Sequence, residues 1–277
     1  MKLIDFDEKF NARMAREIER RAGTRTEEEW ENEIAAQYAR FGQTPLKELN
    51  GQTPRQYFAQ MSDEQLVETL KEYLLQDVSV PDFLCEELEG RAASPAILAL
   101  LSQTDEELVL YALNVIGDDP RALGRYAEML GEEAYDEHVK DAIADLLKGR
   151  ADDVTEPMLA LLGTENEAYA LEVLSGTRRR DERVFRALTD AFLGADEESF
   201  PLYAGYLAAY GDERALPQLL AAIEREDIGF VAFQELKFAI EALGGAYDKE
   251  RDFSADESYK KIMEAGAGTD IFGGGRR

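Results

Sequence analysis

Cysteine, histidine and tryptophan occur once each in the 277 residues, as Cys85, His138 and Trp30. A single cysteine forms no internal disulfide, and without a CxxC pair neither a cysteine-based zinc site nor a thioredoxin-like site is expected. The chain therefore suits a reducing cytoplasm. One histidine excludes a histidine-rich zinc site, and no metal is expected. Long apolar runs are missing too, for none approaches 18 residues. The start, Met1 to Glu8, turns acidic before an apolar core develops, so neither a signal peptide nor a membrane span is expected. Positive charge is scarce: 31 basic against 58 acidic residues leave a formal net charge of −27. That balance repels phosphate backbones and anionic lipid, so neither nucleic acid nor a membrane is an expected partner.

Motifs of catalysis are equally absent. The chain has no EF-hand spacing, Walker A loop, GxGxxG fingerprint or GxSxG elbow. Carboxylates are so numerous that choosing a catalytic pair among them carries no information. Gly273, Gly274 and Gly275 are not followed by a helix, as a phosphate loop would require. No enzyme activity and no cofactor are expected. Alternating apolar and polar residues, the mark of half-buried strands, are also lacking, which leaves helices.

What is present is a period. Between residues 92 and 248 a short apolar helix, a polar corner, a second apolar helix and a Gly/Asp break recur about every 31 residues. Gly117-Asp118-Asp119-Pro120-Arg121-Ala122-Leu123 echoes Gly211-Asp212-Glu213-Arg214-Ala215-Leu216, with further breaks near Asp152 and Asp181. Thr104-Asp105-Glu106-Glu107 and Thr164-Glu165-Asn166-Glu167 read as capping boxes two periods apart. Five helix pairs are predicted, each unable to bury its apolar face alone. At 45% hydrophobic content the chain can bury a core, and its length suits two domains or an elongated solenoid.

Residues 1–91 do not follow the repeat and read as an irregular helical cap. Thr26-Glu27-Glu28-Glu29 opens a helix with Trp30, Ile34, Tyr38 and Phe41 on one stripe. Gly42-Gln43-Thr44-Pro45 and Gly51-Gln52-Thr53-Pro54 each place Thr before Pro at a helix start, and Ser62 begins a further helix. Residues 249–264 read as a terminal capping helix, and 265–277, with five glycines, as a flexible tail.

The two Gly-Asp echoes, Gly117 to Leu123 and Gly211 to Leu220, resemble HEAT-like repeats, particularly the short bacterial type first associated with phycobilin lyases. The resemblance covers residues 92–248 and implies a right-handed α-α superhelical solenoid of about five pairs. Tetratricopeptide repeats have a similar length, but their Trp/Leu-Gly/Tyr pattern is not in register here. Because such repeats serve scaffolds, lyases and nucleic-acid enzymes alike, the resemblance implies a fold more than a function. The leading expectation is a non-catalytic scaffold that presents a helical groove to a protein or peptide. Alternatives are a phycobilin-lyase-like or alkylpurine-DNA-glycosylase-like protein and a structural homo-oligomer.

Three groups of residues carry candidate chemistry. Arg178, Arg179, Arg180, Arg183 and Arg186 form the one dense basic cluster, suited either to clamping a partner's carboxylates or to neutralising neighbouring acids and a helix end. Tyr203, Tyr206 and Tyr210 lie at i, i+3 and i+7 on one helix, as an interface stripe or as packing against neighbouring helices. His138, between carboxylates in Asp136-Glu137-His138, is an acid/base candidate or a plain helix-surface residue. The acidity either recruits a basic protein or serves solubility or high salt.

Overall fold

A computed structural model of the chain describes residues 3–21, 26–91, 94–196 and 199–267. The fold is all-helical: sixteen α-helices and no strand occur among the described residues. None of these helices is long and apolar enough to cross a membrane. The chain divides into two compact units, residues 1–143 and 144–277.

The first unit begins with α1 (Phe6–Arg20), α2 (Glu27–Phe41), α3 (Pro54–Ala59), α4 (Asp63–Leu75), α5 (Asp82–Glu89) and α6 (Pro95–Leu98). It continues with α7 (Glu106–Ile116), α8 (Leu123–Gly131) and the start of α9 (Glu137–Lys148). Local chemistry sets the starts. The Thr26 hydroxyl accepts from Glu29 N at 3.2 Å while the Glu29 carboxylate accepts from Thr26 N at 2.9 Å, a complete reciprocal cap. Thr53 with Gln56 and Ser62 with Gln65 build the same device on α3 and α4. Packing then selects partners: α3 lies on α5, α5 on α7, and α4 on α6. Phe10, Phe41 and Phe83 are buried around Tyr38, whose ring stacks on Phe83 at 4.8 Å, and Phe6 joins Phe83 to the buried Phe58.

The second unit contains the end of α9, then α10 (Ala151–Ala160), α11 (Glu167–Ser175), α12 (Glu182–Gly194), α13 (Phe200–Tyr210), α14 (Leu216–Ile223), α15 (Phe230–Ala242) and α16 (Glu257–Ala267). Neighbours in sequence pack as pairs, α10 on α11, α12 on α13 and α14 on α15. The second members also pack on one another, α11 on α13 and, most extensively, α13 on α15. Val173, Leu174, Ala204, Leu207, Leu236 and Ile240 are almost fully buried in that layer.

Glycine ends helices where the backbone must turn left-handed. Gly117 and Gly211 follow α7 and α13 with φ of 58° and 72°, where a Cβ would strain the chain. This explains why the recurrent corner starts with glycine.

Some expected caps form differently. Thr164 is not an N-cap: its hydroxyl donates to the Leu161 carbonyl at 2.7 Å, and α11 starts three residues later without a side-chain cap. At α7 the capping residue is Asp105 instead of Thr104, accepting from Leu108 N at 3.0 Å. Thr44 binds back to the Arg40 carbonyl, leaving only a 3₁₀ turn at Lys47–Leu49. The terminal helix begins at Glu257, so residues 249–256 are not helical. Of the expected tail, residues 268–277 lie outside the described residues.

Candidate functional site

The basic cluster sits at the corner between α11 and α12, where the structure gives most of it internal partners. Asp152 on α10 accepts the backbone N–H groups of both Arg178 and Arg179, each at 3.0 Å. The Arg180 guanidinium donates to the carbonyls of Tyr210 at 2.8 Å and Gly211 at 2.6 Å, and lies over the Tyr210 ring at 5.2 Å. It thus closes the C-terminus of α13, where carbonyls lack helical partners and the helix dipole is negative. Arg183 is folded against Asp181, whose Oδ1 also accepts from Arg183 N at 2.8 Å, and reaches Glu156 Oε2 at 3.0 Å. Only the Arg179 and Arg186 side chains are exposed without a side-chain hydrogen bond or ion pair among the described residues.

The arrangement at Asp181 recurs. In Asp119-Pro120-Arg121, Asp181-Glu182-Arg183 and Asp212-Glu213-Arg214 the aspartate accepts the arginine's own N–H and also its guanidinium. Arg214 then reaches Glu182 Oε2 at 2.8 Å, as Arg183 reaches Glu156. Hydrogen bonding to arginine holds the Asp181 and Asp212 carboxyls below the usual range.

The tyrosine stripe divides. Tyr210 is 3% exposed, and its hydroxyl accepts from Asp181 N at 3.0 Å and donates to Asp181 O at 3.1 Å. Tyr206 is buried, with Lys148 over its ring at 5.7 Å, and burial pushes its phenol up beyond the ordinary range. Tyr203 remains half-exposed, with its ring against Tyr206.

Tyr203 opens onto a cleft of 530 Å³ formed by α11, α12 and α13. Leu162, Leu171, Ala187 and Ala191 supply its apolar walls, and Glu167, Asp190 and Asp196 its charge. No basic side chain is among the described residues that line it. Ser199 N donates to Asp196 Oδ1 at 2.8 Å, and Glu167 accepts from Gly163 N, so two of the carboxylates are held in place. Acceptor-only carboxylates beside an aromatic face and aliphatic walls match a cation on an apolar stem, as in lysine or arginine. Sequence reasoning missed this cleft because its charges come from three elements and no local motif joins them.

The other singled-out residues fall elsewhere. Trp30 is 8% exposed in the core of the first unit. Cys85 is half-buried, and burial with nearby Asp82, Glu89 and Glu86 pushes its thiol up to about 11, which leaves it a poor nucleophile. His138 is exposed at the start of α9, with Nδ1 3.1 Å from Glu106 Oε1. A second cleft, of 510 Å³, lies in the first unit between Phe10, Ile34, Tyr38, Arg55, Asp82 and Glu86. Arg55 and Glu86 pair across it, and the Tyr38 hydroxyl donates to Asp7 at 2.7 Å.

Comparison with protein-family models, with curated proteins and with solved structures gives no match.

Proposed function

We propose that this chain is a non-catalytic, HEAT-like interaction protein that binds a protein or peptide through a basic side chain seated in the Tyr203 cleft. The observation that carries the reading is the convergence of Glu167, Asp190 and Asp196 around Tyr203 with no basic residue in the lining. A formal charge of −27 adds long-range attraction for a cationic partner.

The repeat part of the proposal is supported by separations in the bonding pattern. Arg180 to Gly211 spans 31 residues, Arg214 to Glu182 spans 32 and Arg183 to Glu156 spans 27, close to the period of the sequence. Stacked units of one length place equivalent residues side by side, and the α11, α13, α15 layer fits such a stack.

Fluorescence polarisation with a panel of basic, neutral and acidic peptides tests the function. Basic peptides are expected to bind, with affinity falling as salt screens the carboxylates. Asp190→Lys and Tyr203→Ala should each weaken that binding while the circular dichroism spectrum stays that of the folded chain. Equal binding of acidic peptides, or full binding by both folded variants, would refute the assignment.

A further inference from the structure

His138 is the only histidine of the chain, and the fold places it beside two carboxylates from different segments. Glu106 is the first residue of α7, and Asp136 stands just before α9. Oxygen atoms of both and a ring nitrogen of His138 lie within 4.8 Å of one another, all on exposed residues. We propose that Glu106, Asp136 and His138 form a binding site for a divalent first-row transition ion such as zinc.

Several features favour a site over a chance meeting of charges. Val139 N donates to Asp136 Oδ1 at 3.1 Å, which fixes that carboxylate and leaves its second oxygen to coordinate. The imidazole is already drawn to Glu106 at 3.1 Å across 32 residues of sequence, so the α7 and α9 starts are held together before any ion arrives. No lysine or arginine pairs with either carboxylate among the described residues, so an ion would not have to displace one. Ordinary metal–ligand bonds near 2.1 Å put tetrahedral ligand atoms about 3.4 Å apart. Exposed side chains cover the remaining distance by rotamer changes alone.

The donor set selects the ion class. One imidazole nitrogen disfavours calcium and magnesium, which prefer all-oxygen shells, and the lack of sulfur disfavours copper(I). Three protein ligands leave at least one position for water. Bound there, the ion becomes a clip between the α7 and α9 starts and stabilises the folded state by mass action.

The single histidine makes the test direct, because its imidazole signals in a nitrogen-correlated NMR spectrum report on this position alone. Zinc would be titrated into the full chain with magnesium in excess to occupy non-specific acidic surface. The expected result is a His138 shift that saturates near one equivalent, together with a rise in the thermal midpoint. Glu106→Gln and Asp136→Asn should each weaken the response by more than about tenfold, and His138→Ala should abolish the thermal gain. Either of two results would overturn the proposal: a His138 signal unmoved by millimolar zinc, or an equal response in the Glu106→Gln, Asp136→Asn double variant. The latter would mean that the imidazole acts alone.

Discussion

Replacing Arg180 by methionine separates an internal role of the basic cluster from a binding role. Methionine keeps an unbranched stem against the Tyr210 ring but removes both donors to the Tyr210 and Gly211 carbonyls. Hydrogen bonds from a charged donor contribute about 1.5–3 kcal/mol each when buried. Arg180 is exposed, so water replaces part of each bond, and about 2 kcal/mol for the pair plus the lost cation–π contact is the expected cost. For a unit of this size that corresponds to a midpoint lower by about 7 °C. Thermal and urea unfolding followed by circular dichroism would measure it. Arg179→Met and Arg186→Met, which remove no such bonds, should stay within about 0.5 kcal/mol of wild type. Equal stability of all three variants would refute the idea that Arg180 closes α13.

Tyr210→Phe removes the hydroxyl that accepts from Asp181 N, while the Asp181 carbonyl keeps its bond from Phe185 N, and should cost about 1–3 kcal/mol in urea unfolding. Gly176→Ala places a Cβ 2.4 Å from the Lys148 carbonyl oxygen, so the ends of α9 and α11 must part, for a loss of about 1–3 kcal/mol in the same assay. Acid should destabilise the chain through Asp181 and Asp212, whose folded pKa values lie below the unfolded ones. Their contribution is complete above the ordinary carboxylate pKa of about 4 and is lost as pH falls through the depressed folded values. An Arg183→Met, Arg214→Met double variant should therefore show a shallower loss of urea midpoint on acidification, and an unchanged slope would count against it.

Signals confined to a few neighbouring residues were the legible ones. The Thr26 cap, the Thr53-Pro54 start and the Gly117 and Gly211 ends follow from side chains that act within four residues of themselves. Thr164 misled because a hydroxyl can accept from a first-turn amide or donate backwards to a carbonyl, and the chain around Gly163 favours the second. Spacing correctly put Tyr203, Tyr206 and Tyr210 on one helix, but the exposure of each depends on what packs against that helix. The cleft was illegible for the same reason. Asp190 and Tyr203 belong to different helices, and only packing brings them to one opening.

The arginines of this acidic chain share a structural task, and that bears on what remains for a partner. Arg91 donates to the carbonyls of Ala59 and Met61, Arg180 to those of Tyr210 and Gly211, and Arg251 to those of Ile223 and Arg225. Ala59, Tyr210 and Ile223 are the last residues of α3, α13 and α14, so three helices end beneath a guanidinium. A planar fork suits two adjacent carbonyls, whereas lysine offers a compact charge without that geometry. Arg121, Arg183 and Arg214 are folded onto aspartates two residues before them. Positive charge used in this way is committed to helix ends and corners, and none of it belongs to the described lining of the Tyr203 cleft. The few arginines thus hold helix ends together, and the cleft's carboxylates keep the acidic surface on which the proposed binding of a basic side chain rests.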